Sequence, residues 1–263
     1  MTVLITGGAG FIGSHVTDDL IGRGYRVRIL DNLCEQVHGS GGGTPDYLNP
    51  MAELIQGDIR DRSIVESSLD GVEAVVHLAA AVGVGQSMYE MEHYIRTNCV
   101  GTAVLLESLI KARIKKLIVA SSMSIYGEGL YRSSRNSWHN DVRRKPSDLA
   151  AAQWELLDAY GDNLLPVATP ESKLPQLSSI YALTKYDQEK MCLVAGQAYN
   201  IPVVALRFFN VYGPRQSLST PYTGVLAIFA CRLMNDKPPL IFEDGNQQRD
   251  FVSVYDVARA CRL

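Results

Sequence analysis

Thr6-Gly7-Gly8-Ala9-Gly10-Phe11-Ile12-Gly13 follows directly on an apolar run, Val3-Leu4-Ile5, and opens a stretch with helical spacing from Phe11 to Arg23. Strand, glycine turn and helix in that order frame a phosphate-binding turn. The eight residues satisfy G-x-G-x-x-G through Gly8, Gly10 and Gly13, and the wider G-x-x-G-x-x-G through Gly7, Gly10 and Gly13. Glycines there permit a tight turn, let backbone approach a pyrophosphate and let the helix pack close to the strand. The helix N-terminus then offers unpaired N–H groups and a positive dipole end to the phosphates. A glycine pattern alone is weak, but Asp31 strengthens it. It ends a second apolar run, Val27-Arg28-Ile29-Leu30, near the spacing of about 20 residues at which a carboxylate accepts the ribose hydroxyls of an adenosine. A 2′-phosphate would meet that carboxylate rather than an arginine, so the reading favours NAD over NADP.

Outward from this unit, short β-branched or apolar runs recur at Leu54-Ile55, Ala74-Val75-Val76, Leu117-Ile118-Val119-Ala120 and Val203-Val204-Ala205-Leu206. Helical segments at Asp61 to Leu69, Asn98 to Lys111 and Ser179 to Tyr199 separate them. The alternation predicts an α/β fold: a Rossmann-type doubly wound parallel sheet, covered on both faces. Gly39 to Gly43 reads as a mobile loop. Residues 128–175 carry Arg132, Arg135, Arg143, Arg144, Lys145 and both tryptophans, Trp138 and Trp154, without a clear period; they read as an insertion or lid rather than sheet. Beyond Pro214 the spacing predicts a helix around Tyr222 to Asn235 and strands at Leu240-Ile241-Phe242 and Phe251-Val252. The expected organisation is therefore a nucleotide-binding domain over 1–213 and a smaller substrate lobe over 214–263.

A hydrophobic share of 46% with 20% charged residues excludes a disordered or collagen-like chain, and a net charge of −3 gives no reason to expect nucleic acid as a partner. The most apolar stretch, Ala74 to Gly85, is far short of the roughly 20 residues of a membrane span. With the glycine turn so near Met1, no export signal is expected ahead of it, and the reading is a cytoplasmic protein. Cys34, Cys99, Cys192, Cys231 and Cys261 are odd in number and widely spaced, which predicts free thiols and no metal knuckle.

Tyr181-Ala182-Leu183-Thr184-Lys185 sets a phenol and an amine four residues apart on one helix face. A phenol of pKa about 10 is a poor base at neutral pH, and a neighbouring lysine and a nicotinium ring would both favour its ionised form. Ser121-Ser122-Met123-Ser124-Ile125-Tyr126-Gly127 follows the run Leu117 to Ala120 and places serines where a strand's carboxyl end can present them to a reacting oxygen. Taken separately, each pattern has an ordinary structural explanation, as an amphipathic helix or as turn-forming serines.

With these motifs stand Asp31-Asn32, Gly57-Asp58-Ile59-Arg60, His77-Leu78-Ala79-Ala80, Thr97-Asn98, Gly101-Thr102, Arg207-Phe208-Phe209-Asn210-Val211-Tyr212-Gly213-Pro214-Arg215 and Arg249-Asp250-Phe251-Val252-Ser253-Val254-Tyr255-Asp256-Val257. As a set they resemble the extended short-chain dehydrogenase/reductase family, in its NAD-dependent sugar-nucleotide epimerase/dehydratase branch, from Thr2 to the end. The resemblance implies that Gly7, Gly10, Phe11, Ile12 and Gly13 meet the pyrophosphate and that Asp31 and Asn32 meet the adenosine ribose. Asp58 and Ile59 would flank the adenine, Leu78, Ala79, Ala80 and Asn98 would line the cofactor's path, and Phe209 would lie by the nicotinamide. It further implies Ser122 and Tyr181 as the catalytic hydroxyl and base, and Lys185 as the holder of the nicotinamide ribose. Ser122, Ser124, Asn210, Phe242 and Arg249 would bind the nucleotide-sugar substrate.

Dehydratases of the branch follow the catalytic hydroxyl with Asp-Glu; Met123-Ser124 stand here, which speaks against elimination. The closer likeness is to dTDP-L-rhamnose 4-epimerase-like proteins, through Gln36-Val37-His38-Gly39, Pro45-Asp46-Tyr47-Leu48, Met123 to Gly129, Pro214 to Leu218 and Pro221 to Val225. No cysteine lies between Cys99 and Cys192, where those relatives often carry a metal-like cluster, so no zinc is expected and the insertion should order itself by packing around Trp138 and Trp154. The implied activity is C4 epimerisation through a 4-keto sugar. Action on UDP-hexoses, net reduction of a keto-sugar, or NAD binding without turnover remain open. The last helix carries no stop signal after Val257, which suggests a shortened substrate lobe. Helices at 98–111 and 179–199 match those through which relatives dimerise as a four-helix bundle, so a homodimer is expected.

Overall fold

The computed structural model describes residues 1–39, 43–217 and 223–263. The chain runs β1 (Thr2–Thr6), α1 (Phe11–Gly22), β2 (Arg26–Asp31), α2 (Glu35–His38), β3 (Glu53–Gln56), α3 (Arg62–Ser68) and β4 (Ala74–His77). Next come α4 (Val84–Ser87), α5 (Met91–Tyr94), a π-helical turn (Ile95–Val100), α6 (Gly101–Lys111), β5 (Lys116–Ser122) and a 3₁₀ turn (Met123–Tyr126). The remainder is β6 (Leu130–Arg132), β7 (Trp138–His139), α7 (Pro146–Ala150), β8 (Leu165–Val167), α8 (Ile180–Tyr199), β9 (Val203–Phe208), β10 (Asn210–Tyr212), α9 (Val225–Met234), β11 (Phe251–Ser253) and α10 (Val254–Arg262).

Six parallel strands stand in the order β3-β2-β1-β4-β5-β9. Because side chains alternate along a strand, Val3 and Ile5 of β1 join one core with Val16, Leu20, Ile29, Val76 and Val257, while Leu4 joins the other with Leu30, Val75, Leu105, Leu109 and Leu117. Both faces are thus covered, which is why the strands read as near-continuous apolar runs. The strand order reverses between β1 and β4, and Thr6 is in register with both Leu30 and His77. The carboxyl ends of these strands therefore open on one crevice, the place where sheets of this kind bind ligands.

Four expectations need correction. Residues 95–100 form a π-helix rather than the start of an α-helix; the extra residue in its turn turns Asn98 inward, fully buried. Residues 128–175 are not free of sheet, since β6 pairs antiparallel with β7 and β8. Of the two tryptophans around which the insertion was expected to pack, Trp138 is 60% exposed and Trp154 is half-buried; the segment's buried residues include Leu130, Ser133, Leu156, Leu164 and Lys173. Leu240 to Phe242 form no strand, whereas Phe251 to Ser253 do, as β11 paired in parallel with β10. The loop expected at Gly39 to Gly43 falls largely on residues 40–42, and Tyr222, where a helix was expected to begin, is likewise outside the described residues. Helix α10 packs on α1, with Val257, Ala258 and Cys261 in the same core as β1.

Helix α8 is fastened to the sheet by a buried charge. Glu189 accepts from Arg207 Nη2 at 2.8 Å, Arg207 Nε at 3.0 Å and Ser121 Oγ at 2.7 Å, joining α8 to β9 and β5. Burial works against its carboxylate, but these hydrogen bonds outweigh it and hold the group below the usual glutamate range. Removing one partner of such a pair strands the other. Glu189→Ala is expected to lower unfolding free energy by about 3 kcal/mol in urea titrations at pH 7; an unchanged midpoint would contradict this account.

Candidate active site

Asp31 closes β2 with both carboxylate oxygens engaged by backbone: Oδ2 accepts from Ala9 N at 3.0 Å and Oδ1 from Leu33 N at 2.9 Å. It thus ties the glycine turn to the next strand. Gly10 caps α1 with no side-chain hydrogen bond, which leaves the first-turn N–H groups free for an anion. At Gly7, with φ +70°, an added Cβ would stand 2.8 Å from Ala79 N. The backbone surface there has no room for a side chain. A tight glycine turn, free helical N–H groups and a buried carboxylate at the next strand's end fit a dinucleotide diphosphate and its adenosine ribose.

The other expected cofactor residues are distributed around this turn. Leu78 N donates to Thr6 O at 3.0 Å, and Ala79 N to Thr6 Oγ1 at 3.3 Å, so the exit of β4 runs beside the exit of β1. Asn98 clamps the same segment, accepting from Ala81 N at 2.7 Å and donating to Ala81 O at 3.1 Å and Thr184 Oγ1 at 3.0 Å. Asp58 is half-buried and held below the usual aspartate range, first by the Arg60 side chain. Ile59 is buried in the second core, and Asn32 is exposed, accepting from Cys34 N at 3.2 Å.

At the carboxyl end of β5, Ser122 Oγ accepts from Ser124 N at 3.1 Å and from Ser124 Oγ at 2.9 Å, and it lies close enough to the Tyr181 phenol to act on it. The two candidate catalytic hydroxyls, 59 residues apart in sequence, are therefore brought to the same place in the fold. Burial pushes the Tyr181 phenol up, and the bond to Ser122 draws it part of the way back. The expected help from Lys185 is absent here, because its amine donates to Gln188 Oε1 at 2.8 Å. Burial brings Lys185 down to about 8.

On the substrate side, Asn210 Nδ2 reaches Asp250 O at 3.2 Å and Met123 Sδ at 3.7 Å, placing it beside the turn that follows Ser122. The Phe209 ring centroid lies 6.5 Å from that of Tyr126. Arg249 is exposed, donates to Gln248 O at 2.7 Å and acts electrostatically on Tyr131. Phe242 stands 72% exposed in irregular backbone and is not gathered with the others. The sequence reading passed over Gln188 and Lys173. Gln188 carried a usable signal, lying three residues beyond Lys185 and so on the same helix face. Lys173, whose amine donates to Tyr126 O at 2.8 Å and Gln176 Oε1 at 3.0 Å, carried none. Among the described residues no group of three His, Cys, Asp or Glu side chains could hold a metal, and no helix is long and apolar enough to cross a membrane.

Comparison with known proteins gives the site its relatives. The model of the NAD dependent epimerase/dehydratase family matches residues 3–145 and 158–263. Over 263 residues the chain is 37% identical to dTDP-L-rhamnose 4-epimerase of Burkholderia thailandensis, covering 98% of this chain and 71% of that protein. The UDP-glucose 4-epimerase of Thermotoga maritima, solved with UDP-glucose, superposes with a TM-score of 0.79 at 35% identity, covering 100% of this chain and 72% of the other. The Thermus thermophilus UDP-glucose 4-epimerase in complex with NAD gives 0.75 at 31% identity, covering 99% of this chain and 73% of the other.

The Lys185 amine is 3% exposed and meets no carboxylate, so its charge is costly to the fold. Its folded pKa lies below that of an exposed lysine; the cost is complete below pH 8 and fades toward pH 10.5, where the unfolded chain also loses the proton. Lys185→Met is therefore expected to stabilise the chain at pH 7 by about 2 kcal/mol, a gain that shrinks above pH 8. Thermal unfolding across this range would refute the account if the variant were less stable at pH 7.

Proposed function

The chain belongs to the NAD-dependent epimerase/dehydratase family, and on that premise we propose that it inverts C4 of a nucleotide sugar, of the dTDP-L-rhamnose/dTDP-6-deoxy-L-talose type, through a transient 4-keto sugar. The observation that carries the reading is the juxtaposition of Ser122, at the carboxyl end of β5, with the phenol of Tyr181, which it draws down, together with Met123-Ser124 in place of an acid–base pair. The sugar class is supported by the 37% identity to dTDP-L-rhamnose 4-epimerase. The likeness to a structure solved with UDP-glucose supports a UDP-hexose as the second reading.

NAD, when bound, supplies the reversible acceptor of hydride from the sugar carbon. Gly7, Gly10, Phe11, Ile12, Gly13, Asp31, Asn32, Asp58, Ile59, Leu78, Ala79, Ala80, Asn98 and Phe209 form its bed, with Asp31 receiving the adenosine ribose. Tyr181 Oη takes the proton of the sugar's 4-hydroxyl and later returns it. Ser122 Oγ steadies the same oxygen, with Ser124 fixing the serine's orientation. Lys185 holds the nicotinamide ribose, its amine turned to Gln188 rather than to the phenol. Asn210 and the Arg249 fork take the sugar nucleotide's diphosphate.

Two wider expectations go with this reading. Ile95 and Val100 on the π-helical turn, with Leu183 and Val194 on α8, are exposed apolar residues on adjacent helices, which supports a homodimer through a four-helix bundle. All five cysteines are free, as suits a cytoplasmic enzyme.

Purified protein incubated with dTDP-L-rhamnose, dTDP-6-deoxy-L-talose, UDP-glucose or UDP-N-acetylglucosamine, without added NADH, should invert C4 of one of the first two, as read by NMR. Inversion of a UDP sugar alone would transfer the reading to that substrate. Every sugar returned unchanged while NAD co-purifies would overturn it. Tyr181→Phe should lower turnover about a thousandfold with NAD binding intact.

A further inference from the structure

A buried chain of uncharged polar side chains runs from the end of β1 to Lys185. Thr6 Oγ1 lies 2.7 Å from His77 Nδ1, and His77 Nε2 lies 2.9 Å from Thr102 Oγ1 and 3.2 Å from Gln188 Nε2. Gln188 Nε2 donates to Thr102 Oγ1 at 2.9 Å, while Gln188 Oε1 accepts from Lys185 Nζ at 2.8 Å. Four strands and helices, β1, β4, α6 and α8, each contribute a member. Thr6, His77, Thr102, Gln188 and Lys185 are all buried.

The hydrogen-bond inventory fixes which way the amide points. Thr102 commits its hydroxyl hydrogen to Asn98 O, so toward Gln188 it presents only lone pairs. The Gln188 NH2 must face Thr102, and the carbonyl oxygen is left to face the lysine. His77 adds no competing charge, since burial and then the Lys185 charge bring it down to about 3. The titratable groups acting with the amine are His77 from β4 and, from α8 itself, Cys192; α6 supplies the neutral Thr102. Among the described residues no carboxylate pairs with it.

We propose that Gln188, oriented by Thr102 and His77, is the positioning residue of Lys185: a neutral acceptor that fixes where the amine stands without capturing it as an ion pair. The proposal rests on the reading of Lys185 as the residue that holds the nicotinamide ribose. A carboxylate at position 188 would grip the ammonium, hold its proton to higher pH and compete with the nucleotide for it. An amide turned the other way would point N–H groups at the amine and favour its neutral form.

The test is NAD affinity from pH 6 to 10, measured by calorimetry on protein freed of nucleotide. Wild-type affinity should weaken through a transition near pH 8, where the buried amine loses its proton. Gln188→Glu should move that transition up by about one pH unit or more. Thr102→Val keeps the side-chain shape, alters a residue whose hydrogen bonds go to His77, Asn98 and Gln188 rather than to Lys185, and should move the transition down by releasing the amide; it carries the test if Gln188→Glu does not fold. Lys185→Met should bind more weakly and show no transition. A transition that stays in place in the folded variants, whatever happens to their melting temperatures, overturns the positioning role while leaving Lys185 as the ribose holder. Wild-type affinity at every pH in Lys185→Met overturns that reading and the proposal with it.

Discussion

The closeness with which the backbone folds back on itself after β1 governs the rest of the site. A Cβ on Gly13 would stand 2.4 Å from Gly7 O and 2.6 Å from Gly8 Cα, closer than any side chain allows. Helix α1 therefore starts directly against the turn. The turn in turn lies against Ala79 at the exit of β4. This is what lets Thr6 reach His77, and what brings Ala9 N to Asp31. Loosening the turn by one methyl group would move β1, β2 and β4 apart at the end where every candidate cofactor residue converges. Overpacking a backbone contact differs from enlarging a core side chain, since no rotamer change can relieve it.

From that constraint the site divides into two sides held by different physics. The nucleotide side is closed by buried contacts: the Asp31 clasp, the Asn98 clamp and the polar chain ending at Lys185. In the first two the polar atoms are paired, and such a buried network is rigid because any rearrangement leaves a group unpaired; the third ends on an amine with a single acceptor. The sugar side is held by contacts at or near the surface. Arg144 bridges Glu128, next to the Ser122 turn, to Glu243 in the segment before β11, at 3.2 and 3.0 Å. Lys173 is the exception, a buried amine that pins the insertion to the backbone of Tyr126. Residues 236–250, by contrast, are almost entirely exposed to solvent.

How much of this could be read from the sequence follows the same division. The sheet, its flanking helices and the glycine turn were legible because the inner strands β1, β4 and β5 are buried on both faces and the apolar runs of the other strands share their composition. The pairing of Ser122 with Tyr181 was legible only through motif resemblance, since nothing in the spacing says that β5 and α8 meet. The strands of the insertion are two or three residues long, below any detectable period. Leu240-Ile241-Phe242 misled because apolar composition signals a strand only where a neighbouring edge is open to it; the available edge, β10, is taken by Phe251 to Ser253. Gln188 was hidden for another reason. Its spacing from Lys185 put it on the same helix face, but a polar residue's burial there shows only once the opposing Thr102 and His77 are known.

Lys185 shows why the nucleotide side has to be so tightly built. A lysine kept dry without a carboxylate lowers stability, and burying an acid beside it would be the simple remedy. That remedy would neutralise the very charge that the proposed ribose-holding role requires. A neutral acceptor leaves the charge available but anchors it weakly, so its position must come from the acceptor's own surroundings: Thr102 with its hydrogen already committed, and a histidine too buried to ionise. In a reaction that takes a hydride from one carbon and returns it to the other face, the nucleotide must stay while the sugar turns. A base side that cannot shift, opposite a sugar side bounded by exposed residues, is the division of stiffness which that sequence of steps demands.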